Sequence, residues 1–138
     1  MNRTKIRELA FELLYSLEIQ KIEKESIKEQ IQMFIENNDI NDSRAEEYFM
    51  DVICGIYNNQ EKIIDTISTN LATNWEISRI SKISLVLLKL ATYELLYKKV
   101  PYKVVINEVV ELAKSYGDEN APSFINGVLA NIVKQNNL

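Results

Sequence analysis

Histidine is absent from this 138-residue chain, and cysteine occurs only once. The absence of histidine excludes Ser–His and Cys–His catalysis, histidine-ligated metal sites and a histidine pH switch. The single cysteine, Cys54, excludes an intramolecular disulfide and a cysteine-rich zinc site. Because Cys54 lies in the apolar run 52–56, we expect a small buried core residue rather than a nucleophile.

Glycine and proline are also scarce, with three and two residues respectively. This scarcity argues against turn-rich β folds, collagen-like repeats and flexible linkers. The longest apolar segment, residues 83–96, is interrupted by polar and charged side chains and is too short to span a bilayer. The N-terminus lacks the apolar stretch of a signal peptide. We therefore expect a cytoplasmic protein with no membrane partner.

Apolar residues recur at helical spacing along nearly the whole chain, beginning with Ile6, Ala10, Leu13 and Leu17. No segment alternates convincingly with the period of two that marks a strand. The pattern predicts an all-α fold of about seven helices in two packed bundles. A fifth helix over about 81–98 is apolar on most sides, so we expect it to be the central and most buried one.

Polar residues, proline and glycine set the predicted helix boundaries. The predicted starts are the capping-box pairs Ser26/Glu29 and Ser43/Glu46 and the N-cap Asn120, and the predicted stops include Pro101 and Gly117. The break at 58–59 predicts subdomains 1–58 and 59–138 within a single domain spanning 1–138.

The net charge is −4, but the charges are distributed unevenly. Segment 3–7 carries three basic residues and no acid, and segment 77–103 carries six basic residues against Glu94 alone. Two such clusters predict a local phosphate-binding face, because the field near a patch matters more than the total charge. The same charges also suit a solvated first turn and, for Lys98 and Lys99, a helix C-terminus.

Residue patterns that support catalysis are missing. The chain has no glycine-rich phosphate loop and no carboxylate array at EF-hand spacing. Glu108 and Glu111 lie one helical turn apart, but no third metal ligand accompanies them, so a surface ion-pair role is expected. We expect no enzymatic activity, no metal and no cofactor.

Several spaced blocks, in order, resemble the motifs of the NusB family of bacterial transcription antitermination factors. They are Arg-Glu-Leu-Ala at 7–10, Leu-Tyr at 14–15, Trp-Glu-Ile-Ser-Arg-Ile at 75–80, Leu-Lys-Leu-Ala-Thr-Tyr-Glu-Leu at 88–95, the segment 101–117 that begins Pro-Tyr-Lys-Val-Val, and Phe-Ile-Asn-Gly-Val-Leu at 124–129.

This resemblance implies an all-helical fold of two bundles and a function without a catalysed reaction. It implies binding of the boxA element of nascent RNA together with NusE, a small-subunit ribosomal protein. The pair would join the RNA polymerase antitermination complex and support ribosomal RNA transcription. Both a monomer and a homodimer fit the resemblance.

The family's functional residues fall on named positions of this chain. The implied RNA-binding residues are Arg3, Lys5, Arg7, Asn120, Ser123 and Phe124, with Tyr102 and Lys103 as neighbours at the start of helix six. The implied protein-partner residues are Glu12 and Tyr15. Basic side chains would neutralise phosphates, and Phe124 would stack on a base or pack under the turn.

The chain departs from the family pattern where Thr4 and Ile6 interrupt the basic segment, at Asn120, and at Ser84. These departures leave two alternatives open. One is a NusB-fold protein-interaction module with little RNA binding. The other is a NusB-like domain of a ribosomal RNA methyltransferase.

Overall fold

A computed structural model describes residues 1–138 as seven α-helices and two short 3-10 helices, with no strand. The α-helices are α1 Arg3–Gln20, α2 Ile27–Asn37, α3 Ser43–Asn58, α4 Gln60–Thr69, α5 Lys82–Tyr97, α6 Tyr102–Tyr116 and α7 Ala121–Gln135; the 3-10 helices are Lys24–Ser26 and Ile77–Arg79. The all-α prediction with seven helices is confirmed. None of the helices has the length and apolar character that crossing a membrane requires.

The chain forms two compact units, Met1–Asn58 and Asn59–Leu138. In the first unit, α1, α2 and α3 pack on one another. Their shared core contains fully buried Phe11, Leu14, Ile31 and Phe49. The rings of Phe34 and Phe49 meet edge to face at a centroid distance of 5.8 Å, a favourable aromatic geometry.

The second unit is built around α5, which packs against α4, α6 and α7. Most of α5 is buried, including Leu87, Leu88 and Leu90 with no exposed surface. The prediction that the fifth helix is the most buried one is confirmed. At the far end of α4, the Asn70 side-chain amide donates a 2.6 Å hydrogen bond to Gln135 Oε1 and so ties α4 to α7.

The two caps predicted for the first unit, at Ser26 and Ser43, both differ from the observed ones. Ser26 makes no capping hydrogen bond, because a 3-10 turn leads directly into α2. At α3 the cap comes from Asp42, whose Oδ1 accepts hydrogen bonds from the backbone N–H groups of Arg44 (3.0 Å) and Ala45 (3.3 Å). The bond from Ala45 is the main reason that the pKa of Asp42 lies below its usual value. An ionised carboxylate is a stronger acceptor than the Ser43 hydroxyl, so the earlier residue caps the helix.

Cys54 is partly exposed rather than buried in the core. The residues around it explain the difference, since Val52, Ile53 and Ile56 occupy the buried face of α3. Cys54 therefore lies at the edge of the core face.

Gly117 lies in close contact with the end of α6 and the start of α7. A Cβ atom built on Gly117 would lie 2.6 Å from Ala121 Cβ and 2.9 Å from the Ala113 carbonyl oxygen. The residue has φ −92° and ψ 178°, which any amino acid can adopt. The predicted helix-stop signal would imply a left-handed conformation at this glycine. Glycine is required here instead because neighbouring atoms leave no room for a Cβ.

We predict that Gly117→Ala lowers the free energy of unfolding by about 1–3 kcal/mol, because its methyl group would overlap Ala121 and the end of α6. Gly127→Ala is the matched control. It lies within α7 with no neighbouring atom inside 4 Å of the added Cβ, so it should stabilise by about 0.5–1 kcal/mol. Urea unfolding followed by circular dichroism measures both. Equal effects of the two substitutions would contradict this account.

Candidate nucleic-acid interface

The turn between α6 and α7 is held by Asp118. Its Oδ1 accepts hydrogen bonds from the backbone N–H groups of Asn120 (2.9 Å) and Ala121 (3.0 Å). Asn120 stands at the N-cap position, but its side chain makes no capping bond. The prediction that the Asn120 side chain caps α7 is therefore wrong, because the Asp118 carboxylate provides the acceptor instead. The Asn120 side chain is exposed to solvent.

The first turn of α7 presents the two other predicted RNA residues of this region. Ser123 is exposed, and its hydroxyl donates to the Asn120 carbonyl oxygen at 3.3 Å. Phe124 is partly buried, and its ring lies 5.6 Å from the ring of Trp75 at an interplanar angle of 45°. The structure therefore brings Asn120, Ser123 and Phe124 together at one end of the second unit.

A cavity of about 340 Å³ opens beside this turn. It combines aromatic, cationic, anionic and hydroxyl side chains: Trp75, Arg79, Ile80, Ser81, Ser84, Asp118, Asn120, Ala121 and Phe124. Its size is at the lower end of the range for small-ligand pockets. Single-stranded RNA binding uses such an arrangement, in which aromatic rings stack on bases and nearby polar groups contact the base edges.

Trp75 and Arg79 were not among the predicted site residues, although both belong to a block that carries the family resemblance. They lie in the connection before α5, where Trp75 is 48% exposed. The available sequence signal was a single tryptophan in the connection between two predicted helices. Its proximity to Phe124, almost fifty residues later, was not readable from the sequence.

Tyr102 and Lys103 lie elsewhere on the same unit. Both are exposed in the first turn of α6. Because α6 has 15 residues, its two ends are about 22 Å apart at a rise of 1.5 Å per residue. The structure therefore places Tyr102 and Lys103 at the opposite end of α6 from Asn120, in a separate basic and aromatic corner with Tyr97 and Lys99.

The predicted basic segment lies in the first turns of α1. Arg3 and Lys5 are exposed, and Lys5 Nζ approaches Glu8 Oε1 at 3.4 Å. Arg7 is only 3% exposed and is held within the protein. Cations are unfavourable at the positive end of a helix dipole, and no acidic residue occupies this turn. Arg3 and Lys5 thus create a positive potential at the surface. Arg7 is buried, so its side chain is not available there for contact with a phosphate.

The predicted partner residues also lie on α1. Glu12 is exposed, and Tyr15 is partly buried with its ring 6.1 Å from that of Phe11. Tyr15 therefore has one side supported by the core of the first unit and another side open to solvent.

The first unit contains a separate cavity of about 510 Å³ between the start of α2 and the end of α3, lined in part by Lys24, Lys28, Cys54 and Tyr57. Burial, with a smaller contribution from the charge of Glu18, raises the pKa of Tyr57 to about 12. Tyr57 is therefore neutral at physiological pH. No three potential metal ligands come together anywhere in the chain.

Comparison with known proteins identifies relatives over nearly the whole chain. The NusB family model matches residues 4–134. The transcription antitermination protein NusB of Acetivibrio thermocellus is 46% identical over 135 residues, covering 97% of this chain and 90% of the relative. NusB of Clostridium novyi is 41% identical over 136 residues, covering 97% and 99% respectively.

Solved structures give the same result. The chain is similar to T. maritima NusB with a TM-score of 0.87 and 34% identity, covering 98% of this chain and 92% of that one. It is also similar to a chain in the crystal structure of antitermination factors NusB and NusE in complex with dsRNA, with a TM-score of 0.83, 28% identity and coverage of 98% and 99%.

The turn geometry generates a test of which side chain caps α7. We predict that Asp118→Ala lowers the free energy of unfolding by about 1 kcal/mol, because two backbone N–H groups lose their acceptor. Asn120→Ala should change it by less than about 0.5 kcal/mol, as expected for a surface side chain outside the cap. Urea midpoints at constant slope report both values. A larger loss for Asn120→Ala would show that Asn120 is the cap.

Proposed function

The chain belongs to the NusB family, and from this membership we propose that it is an RNA-binding transcription antitermination factor. In this proposal it binds boxA RNA together with NusE and joins the RNA polymerase antitermination complex, supporting ribosomal RNA transcription. The similarity to a NusB chain solved with NusE and RNA is the observation that carries the proposal. The function is binding rather than catalysis, and its place is the cytoplasm, where nascent RNA is made.

The second unit supplies a surface suited to unpaired bases. Phe124 offers an aromatic face, and the exposed side chains of Asn120 and Ser123 offer hydrogen-bonding groups beside it. Single-stranded RNA is recognised by this combination of stacking and contacts to base edges. We propose that the turn 117–120 and the start of α7 form the base-reading part of the interface.

The start of α1 supplies phosphate contacts. Arg3 is exposed, and the single exposed ion pair of Lys5 is weak enough to exchange for a phosphate. The helix N-terminus adds its own partial positive charge. We propose that Arg3 and Lys5 neutralise backbone phosphates. We assign Arg7 a supporting role in placing this turn, because its side chain is buried. Tyr102 and Lys103 would contact a more distant part of the strand.

The burial of Arg7 also favours a second candidate function, a NusB-fold protein-interaction module with little RNA affinity. Only two of the three predicted phosphate ligands in this segment are exposed, and one of these has a partner. This candidate keeps the NusE contact through Glu12 and Tyr15 and dispenses with boxA binding. The methyltransferase alternative has weaker support, since the relatives described above are named as antitermination proteins.

The RNA proposal predicts salt-sensitive binding to boxA-like RNA that tightens when NusE is added. The double variant Arg3→Ala/Lys5→Ala should flatten the slope of log affinity against log salt by up to about 1.4, at roughly 0.7 per phosphate contact in a single strand. Fluorescence anisotropy of labelled RNA across a salt series measures this slope.

The control is Lys24→Ala/Lys28→Ala, which removes the same charge from exposed positions that follow the C-terminal end of α1, a helix about 27 Å long at helical rise. Its slope should match that of the unmodified protein. Retention of NusE without any preference for boxA over a shuffled RNA would favour the protein-interaction module.

The partner surface gives a separate prediction. Reversing the exposed charge in Glu12→Lys should weaken NusE binding about tenfold, as expected for a residue at an interface. Glu29→Lys, an equal charge reversal at an exposed position of α2, is the control and should leave binding unchanged. Calorimetric titration with purified NusE, without RNA, compares the two. Equal affinities would remove Glu12 from the partner surface.

A further inference from the structure

Trp75 is the only tryptophan of the chain, and it is held in place mainly by backbone turns. The backbone N–H of Trp75 donates to the Ala72 carbonyl oxygen at 2.9 Å, and the backbone N–H of Arg79 donates to the Glu76 carbonyl oxygen at 2.9 Å. The turns hold the indole against Phe124 while 48% of Trp75 remains exposed. A large aromatic surface fixed in position but half exposed is suited to cover a ligand.

The two rings form a wall rather than a closed stack. Their planes are inclined by 45° at a centroid distance of 5.6 Å, and both side chains line the 340 Å³ cavity. A planar base laid on this wall would bury the remaining apolar surface of both rings. Because every base has a π-face, stacking provides affinity without dictating which base binds.

Arg79 provides a cation at the same cavity. It is exposed, it lines the cavity, and no carboxylate of the protein pairs with it. Its guanidinium group can donate two parallel hydrogen bonds to a phosphate. The N-terminal turns of α5 and α7 reach the same cavity through Ser84 and Ala121, and their dipoles also favour an anion there.

The Asp118 carboxylate also lines the cavity. Its cap bonds to Asn120 and Ala121 fix its orientation and occupy one oxygen. A carboxylate accepts hydrogen bonds and cannot donate them. It therefore favours a base that presents an exocyclic amino group, such as cytosine N4, and disfavours uracil, whose O4 would face a like partial charge.

Resting on the RNA-binding function proposed above, we infer that this cavity receives one unstacked nucleotide of single-stranded RNA. Its base lies against Trp75 and Phe124, its phosphate is held by Arg79, and Asp118 selects bases with an exocyclic amino group. Trp75 and Arg79 are thereby assigned as RNA-contacting residues, and Asp118 is assigned as a specificity residue.

The experiment uses the intrinsic fluorescence of Trp75 in the full chain as a local reporter. Short oligo(C) should quench this emission and bind about tenfold more tightly than oligo(U) of equal length. Asp118→Asn should bring the two affinities close together, and because asparagine is as good a cap as aspartate, the fold is kept. An undiminished preference for oligo(C) in Asp118→Asn would overturn the selectivity.

Anisotropy of labelled boxA RNA with NusE provides the second readout. Trp75→Ala and Arg79→Gln should each weaken binding about tenfold, and Trp75→Phe should restore most of the loss in Trp75→Ala. Lys82→Gln is the matched control for Arg79, because it removes an exposed charge three residues away, outside the cavity lining.

The outcomes separate this inference from the function on which it rests. Tight boxA binding without quenching of Trp75, or an Arg79→Gln effect no larger than that of Lys82→Gln, would overturn the cavity site and leave the RNA function standing. An absence of boxA binding by anisotropy would overturn the function itself. Equal quenching by cytidine 5′-monophosphate and oligo(C) would show a free-nucleotide site and overturn the assignment to an RNA strand.

Discussion

The close approach of Gly117 to Ala113 and Ala121 is the constraint on which the candidate interface depends. Because Gly117 has no Cβ, the end of α6 and the start of α7 can meet across a turn of four residues. Asp118 then closes that turn by accepting two backbone hydrogen bonds. The turn fixes where α7 begins, and so it fixes Phe124 next to Trp75. A backbone contact thus positions side chains that themselves remain open to a ligand.

Helical periodicity was sufficient to predict seven helices and the dominant burial of α5, because both follow from local spacing of apolar residues. The caps were less predictable. Asp42 and Asp118 each stand one or two residues before the predicted capping residue, and their carboxylates accept the hydrogen bonds from the free N–H groups. Sequence spacing alone does not reveal which of two adjacent polar side chains will reach the free N–H groups.

The candidate site was predicted in part. The resemblance indicated Asn120, Ser123 and Phe124, and the structure brings these together, whereas Tyr102 lies at the other end of α6. The burial of Arg7 follows from the packing of α1 and could not be read from charge alone. Trp75 joins the site through a contact between distant parts of the chain. The net charge of −4 therefore says little about the protein's ligand, because the basic side chains are concentrated in segments 3–7 and 77–103.

We propose that RNA contacts the α6–α7 turn and the Trp75 segment as one surface. Amide hydrogen exchange of the protein with NusE, in the presence and absence of boxA RNA, measures this most directly. We expect RNA to slow exchange in segments 75–80 and 117–124 together, with a second protected segment at the start of α1. Protection confined to other segments, with 75–80 and 117–124 unchanged at saturating RNA, would contradict it.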